Sequence, residues 1–206
     1  MKRPLILVCG GGHCKSVIEA AESAGFAIKG ILDVAERIGD DVLGYKIVGT
    51  DDDAALYAAE CDFVVTLGFI KSATVRNHII DKLTAAGCRF ATVVASTAHV
   101  SRHATLGEGT VVLHRATVNA GASVGRHCII NTAANVEHDV TVADGAHVST
   151  GAMLNGESRV GAGAFVGSGA VLAQCVAVGA GSVVTVSLTE PGIYAGNPAR
   201  LINKKK

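Results

Sequence analysis

Two periodicities that change over near Thr97 predict a two-part fold, a small α/β unit followed by a parallel β-helix. Up to about Ala95, apolar strand-like runs alternate with helical patterns. From Val100 to Val184 an aliphatic residue returns every sixth position. The expected boundaries are residues 1–96 for a Rossmann-like unit, 97–187 for the β-helix and 188–206 for a capping tail.

In chain order, LILVC (5–9) reads as a first strand. It begins like an export signal, but three glycines stop it before the longer apolar region that export needs. A helix is expected from Lys15 to Ala24 with Gly25 as its stop, then a second strand in AIKGILD (27–33). Asp51 is a candidate cap for a helix over Asp52–Glu60. DFVVTLG (62–68) and a helix over Ser72–Ala86, ended by Gly87, complete a small parallel sheet with helices on its faces.

The second part rests on Val100, Leu106, Val112, Val118, Val124, Ile130, Val136, Val142, Val148, Leu154, Val160, Val166, Leu172, Val178 and Val184. By chance such a run has a probability on the order of 10⁻⁹. A small residue stands two positions before nearly every one of them. Each hexad forms one side of a triangular coil with the aliphatic inward, so eighteen residues make a turn. Gly107, Gly125, Gly161, Gly167 and Gly179, each just after an aliphatic, are expected to supply positive φ at the corners. The tail SLTEPGIYAGNPARL is expected to cover an open end of the coil.

Composition narrows the function. Eighteen basic residues balance eighteen acidic ones, which offers no field for a nucleic acid backbone, and Lys204–Lys206 read as a solvated end. Mean hydropathy is +0.40, yet no run approaches the roughly 20 apolar residues of a membrane span. Six cysteines without a CxxC pair read as reduced thiols in a cytoplasm.

The stretch NVEHDVTV (135–142) sets a histidine between two carboxylates on the outside of the repeat. Residues eighteen apart stack, so Ala120 and Gly156 flank His138 on adjacent turns, both small enough to leave a recess. Asn119, Glu137 and Asn155 form a polar column beside it. An exposed imidazole with a neighbouring carboxylate suits a general base near neutrality, and a backbone N–H near Gly156 is a candidate oxyanion donor. Adjacent strand residues point to opposite sides, so Glu137 and Asp139 need not both touch the ring. The loop CGGGHCK, between strand and helix, suits phosphate binding, although Lys15 occupies the third glycine of a dinucleotide fingerprint. Asp33 fits a ribose hydroxyl or a strand-end cap equally well. Cys14 is not expected to act as a nucleophile, and His99, His103, His114 and His127 read as surface groups.

The hexads, the ending Ala195-Gly-Asn-Pro-Ala199, the segment Asn131–Gly151 and the Gly10-Gly-Gly-His13 opening together resemble the left-handed β-helix acyltransferases. Within them the chain is similar to the bacillosamine-pathway and perosamine acetyltransferases, which act on nucleotide-linked amino-sugars. The resemblance implies the left hand of the coil and transfer from acetyl-CoA to the amine of such a sugar, at C4, for surface glycan or glycoprotein sugars. It implies His138 as base, Asp139 as the acid that raises its basicity, and Asn131 as a polar active-site residue. His147 is implied as an acetyl-CoA contact, and Gly156 and Ser168 are assigned to the same cofactor. Gly11, Gly12, His13, Asp33 and Gly68 are implied to hold the nucleotide sugar. A cytoplasmic homotrimer with sites between subunits and no metal is expected. The alternatives are sugar O-acetylation, a three-histidine zinc site of the γ-carbonic anhydrase kind, which needs converging imidazoles, and a non-catalytic sugar-nucleotide sensor.

Overall fold

The computed structural model describes residues 2–203; the basic end Lys204–Lys206 lies outside them. The α/β unit contains β1 (Leu5–Val8), α1 (Gly12–Ser23), β2 (Ile28–Leu32), β3 (Asp41–Val42), β4 (Tyr45–Gly49), β5 (Asp62–Val65) and α2 (Thr74–Ala85). The sheet order is β3-β4-β2-β1-β5, so the chain reverses its direction of travel between β1 and β5. The carboxyl ends of those two strands border the crevice that this topology makes available to ligands.

Three local expectations are corrected. The sheet is mixed, because β3 and β4 form an antiparallel hairpin whose turn residues Leu43 and Gly44 both take positive φ. Helix α1 starts at Gly12, so Gly12 and His13 belong to its first turn and not to the loop before it. The Asp52–Glu60 helix is a 3₁₀ turn over Asp51–Leu56. Its cap is Thr50, whose backbone N–H and hydroxyl both donate to the Asp53 carboxylate, at 2.8 and 3.1 Å, while Asp51 accepts from Lys82 at 2.9 Å.

Beyond it the chain winds into a three-sided coil of two-residue strands, each as far as Phe165–Val166 paired in parallel with the strand eighteen residues on. Thus Val118 faces Val136 and Val136 faces Leu154. The coil starts one hexad early, since Val93–Val94 pairs with Val111–Val112. Its interior is a continuous stack that includes Val112, Val118, Ile130, Val136, Val148, Leu154, Val166 and Leu172. Residues Ile193–Ala195 and Arg200–Asn203 extend one side, and Leu188, Tyr194 and Ala199 join the interior stack near that end.

The corners work differently from the expectation. Gly107, Gly125, Gly161, Gly167 and Gly179 do not take positive φ. Positive φ falls three residues after each aliphatic from Leu106 to Val178, at glycines such as Gly121 and Gly145 but also at Arg115, His127, Ala133, Asp139, Glu157 and Cys175. The glycines next to the aliphatics serve close approach instead: a Cβ on Gly107 would lie 2.5 Å from the backbone N of Arg126, and one on Gly161 2.5 Å from that of Ala180.

The α/β unit docks on one side of the coil. Leu5, Leu7, Val17 and Ile18 share a core with Val93, Val111, Leu113 and Ile129, and Phe69 and Ala73 pack on Phe165 and Val183 of the same side. The coil thereby forms one wall of the crevice at the carboxyl ends of β1 and β5.

Candidate active site

At one corner of the coil, Asp139 adopts φ 59°, a conformation that Asp tolerates better than most residues. This turns its carboxylate back toward its neighbour, and His138 Nδ1 lies 2.9 Å from Asp139 Oδ2. Since a carboxylate only accepts, Nδ1 carries the proton and Nε2 keeps its lone pair. Both side chains are open to solvent, 57% and 61% exposed. The hydrogen bond to Asp139 raises the pKa of His138 above the ordinary value, and the charges of Asp139, Glu137 and Glu157 add to it.

Glycines on the two adjacent turns make room for this pair. The His138 ring lies across Gly156, where a Cβ would stand 2.7 Å from Cε1 and 2.8 Å from Nε2. The Asp139 carboxylate lies against Gly121, where a Cβ would collide with Oδ1. The recess expected at Gly156 is therefore filled by the imidazole itself and Gly156 is buried under it, whereas Ala120 on the other side is exposed. The Gly156 N–H has no hydrogen-bond partner among the described residues.

Glu137 has a separate task. Its carboxylate accepts from Asn119 Nδ2 and Asn135 Nδ2, each at 3.0 Å, and from the backbone N–H of His138 at 3.3 Å. These bonds, that from Asn135 first, hold its pKa below the usual carboxylate value. Asp139 partners the ring; Glu137 fixes the backbone that carries it.

The remaining residues assemble elsewhere. A cavity of about 630 Å³ between the glycine loop, the 66–71 segment and the coil is lined by Gly11, Gly12, His13, Gly68, Lys71, Asn131 and His147 among others. The first-turn N–H groups of α1 border it, which suits an anion. His147 is buried, ringed by His13, Phe69 and Phe165. Its Nδ1 donates to the Phe69 carbonyl at 2.9 Å, which leaves Nε2 to accept from Asn131 Nδ2 at 3.2 Å. Burial pushes the pKa of His147 down to about 4. Burial, with the nearby His147 and Arg76, pushes His13 to about 3, and the buried Nε2 of His13 has no partner among the described residues.

The predicted residues are thus not one cluster. His138, Asp139 and Gly156 share the corner after the 135–136 strand, whereas Asn131 lies at the corner before it; one whole side of the coil separates them. Ser168 is exposed on the Asn131 edge, bonded to Ser149 at 3.0 Å, and so on a different edge from Gly156. Asp33 borders a second cavity of about 340 Å³ with Cys9, Glu36 and Asp51. Its carboxylate accepts from Gly10 N and Val34 N, both at 2.9 Å, and from Arg37 Nη1 at 2.5 Å, so it acts as a strand-end cap that anchors the glycine loop. Cys14 is buried, and burial pushes its thiol up to about 11. Among the described residues no group of three or more His, Cys, Asp or Glu side chains could hold a metal ion, and no helix is long and apolar enough to cross a membrane.

Two residues were not anticipated. His127 is a buried group, 8% exposed, with Phe90 edge-on at 4.5 Å; the α/β unit covers its corner of the coil. Arg76 is 1% exposed and bonded only to backbone carbonyls. A signal for it existed: with Ile79, Ile80 and Leu83 it occupies the buried stripe of α2, where a helical period calls for an apolar residue.

Comparison with known proteins gives four findings. The PglD N-terminal domain family matches residues 4–83. The acetyltransferase domain of PglB from Neisseria gonorrhoeae is 31% identical, with 98% of this chain and 100% of that one covered and a TM-score of 0.69; it has also been solved in complex with acetyl coenzyme A. A mutant perosamine N-acetyltransferase from Caulobacter crescentus, in complex with CoA and GDP-perosamine, is 29% identical over 98% of this chain and 97% of that one, with a TM-score of 0.74. An uncharacterized protein of Acanthamoeba polyphaga mimivirus is 30% identical over 105 residues, half of this chain, which spans about a fifth of the length of that curated relative.

Proposed function

Because the chain belongs to the left-handed β-helix, hexapeptide-repeat sugar acetyltransferases, we propose that it moves acetyl from acetyl-CoA to the C4 amine of a nucleotide-linked amino-sugar, with His138 as general base. The observation that carries this reading is the His138–Asp139 pair, solvent-facing, with Nδ1 committed to Asp139 and Nε2 open. The acceptor amine attacks the thioester carbon and His138 Nε2 takes the proton that the nitrogen sheds. The oxyanion is stabilised by the unpaired Gly156 N–H. As the carbon–sulfur bond breaks, the imidazolium returns its proton to the departing CoA sulfur, so an amide and a free thiol are the products. Asp139 favours the protonated ring while the proton is held.

In this reading the 630 Å³ cavity takes the nucleotide sugar, its phosphates on the first turn of α1 beside Gly11, Gly12 and His13. The cavity and His138 lie on different edges of one coil, and a homotrimer that sets the His138 corner of one subunit against the Asn131 edge of the next completes the site. Light scattering that finds a monomer under active conditions removes the shared site. The deciding assay offers a 4-amino-sugar nucleotide and its 4-hydroxyl counterpart and follows thiol release at pH 7.5. Release with the amine alone, lost in His138→Ala, is expected; near wild-type transfer by that variant would refute the assigned base.

A further inference from the structure

Arg76 is the only Lys, Arg, Asp or Glu side chain that is fully buried among the described residues. Its Nη1 donates to the carbonyls of Val65 at 2.7 Å and Leu67 at 2.8 Å, and its Nη2 to that of His127 at 3.1 Å. Its Nε has no partner, and it forms no ion pair among the described residues. The side chain therefore ties the carboxyl end of β5 and the following loop to a corner of the coil. With Leu67, Gly68, Phe69 and Lys71 it lines a hollow of about 390 Å³, and those same loop residues line the larger cavity beyond.

A buried charge without a counter-charge is costly, and carbonyl dipoles offset only part of that cost. A methionine would fill the same stripe of α2 without it. The charge is also felt in the cavity: burial pushes Arg76 itself down to about 10, and its positive field lowers both His13 and His147, which line that cavity. An anion there meets the same field with the opposite sign.

We infer that Arg76 is the fixed positive charge of the nucleotide cavity and its positioning residue, holding the 65–71 segment against the coil and balancing the phosphates of a nucleoside diphosphate bound at the start of α1. This rests on the nucleotide-sugar reading above. It deepens that reading by naming the group that answers the phosphate charge.

Calorimetric titration of the full chain with GDP, UDP, their nucleosides and acetyl-CoA tests it in wild type, R76K and R76Q. The quantity of interest is the ratio of diphosphate to nucleoside affinity for whichever base binds. R76Q is expected to lower that ratio by roughly tenfold or more while acetyl-CoA affinity stays within about twofold. R76K keeps the charge and is expected to hold the ratio within about threefold of wild type. An unchanged ratio in R76Q, an equal loss for acetyl-CoA, or a collapse in R76K as deep as in R76Q overturns the inference and leaves the nucleotide reading standing. If wild type binds neither diphosphate, both fall. Wild type alone supplies a test that needs no variant. A buried charge is screened weakly, so the ratio should survive from about 50 mM to about 500 mM NaCl; a loss of most of it would assign the phosphates to exposed Lys71 instead.

Discussion

His138 and His147 are nine residues apart in sequence and in opposite states. His138 stands on an open corner, bonded to a carboxylate that lifts its pKa. His147 is sealed beneath the α/β unit, bonded to a carbonyl and an amide, with its pKa pushed down to about 4. The contrast supports the roles proposed for them. A solvent-facing ring whose hold on a proton is strengthened by a carboxylate suits a base, whereas a buried ring kept neutral offers fixed geometry and a shaped wall. The covering determines the role: a strand residue facing the docked unit loses water, and a corner residue on a free edge keeps it.

The sharpest test of this contrast is His138→Ala. Transfer should fall by ~10² to 10⁴-fold, the usual contribution of a general base, with the melting temperature unchanged because the side chain is exposed and outside the core. A variant that lost activity only by unfolding would break the assignment.

Acid should weaken the fold through the covered rings. His13 and His147 have folded-state pKa values near 3 and 4, below the unfolded value. At neutral pH the two states bind the same protons; as pH falls below about 6.5 the unfolded chain takes up protons that the native rings refuse. Between pH 7 and pH 5 the loss is about 2 kcal/mol per ring. Urea midpoints at the two pH values measure it, and equal midpoints would contradict the neutral assignment.

Asp139→Asn comes next. It preserves the positive φ but removes the charge, so the rate should drop by roughly tenfold. The acid limb of the rate profile, expected above the ordinary histidine value in wild type, should move to lower pH. Glu137→Gln should move it less, because Glu137 meets the backbone of His138 and not the ring. Gly156→Ala is the mildest change: its Cβ displaces an exposed ring, so stability should hold within about 1 kcal/mol while the rate falls a few-fold. A shift of the limb in Glu137→Gln equal to that in Asp139→Asn would merge the two carboxylate roles.

The coil was readable because one position in six faces inward without interruption, and that period also fixed the stacking of Ala120, His138 and Gly156 before any coordinates. What escaped the sequence were relations the period does not encode. Glycines occur both beside the aliphatics and three residues on, and nothing in composition tells which of them serve φ and which serve close approach. The β3–β4 hairpin turns through Leu43-Gly44, without the Asn-Gly or Asp-Gly pair that advertises such a turn. The division of site residues between two edges follows from counting corners, but only once sequence proximity is set aside: Asn131 and His138 are seven residues apart and a full side of the coil intervenes. Arg76 broke the apolar stripe of α2 in plain view.

The left-handed corners carry a last consequence. Asp139, Glu157 and Cys175 occupy successive steps of one column, each in a backbone state that costs an ordinary residue about 1 kcal/mol or more. None of the three contributes to the apolar stack inside. Such a column behaves like a row of fittings on a fixed rail. The side chain at one step can be exchanged where the next step leaves it room, as Gly121 does for Asp139, so new chemistry can be tried at the surface without renegotiating the core.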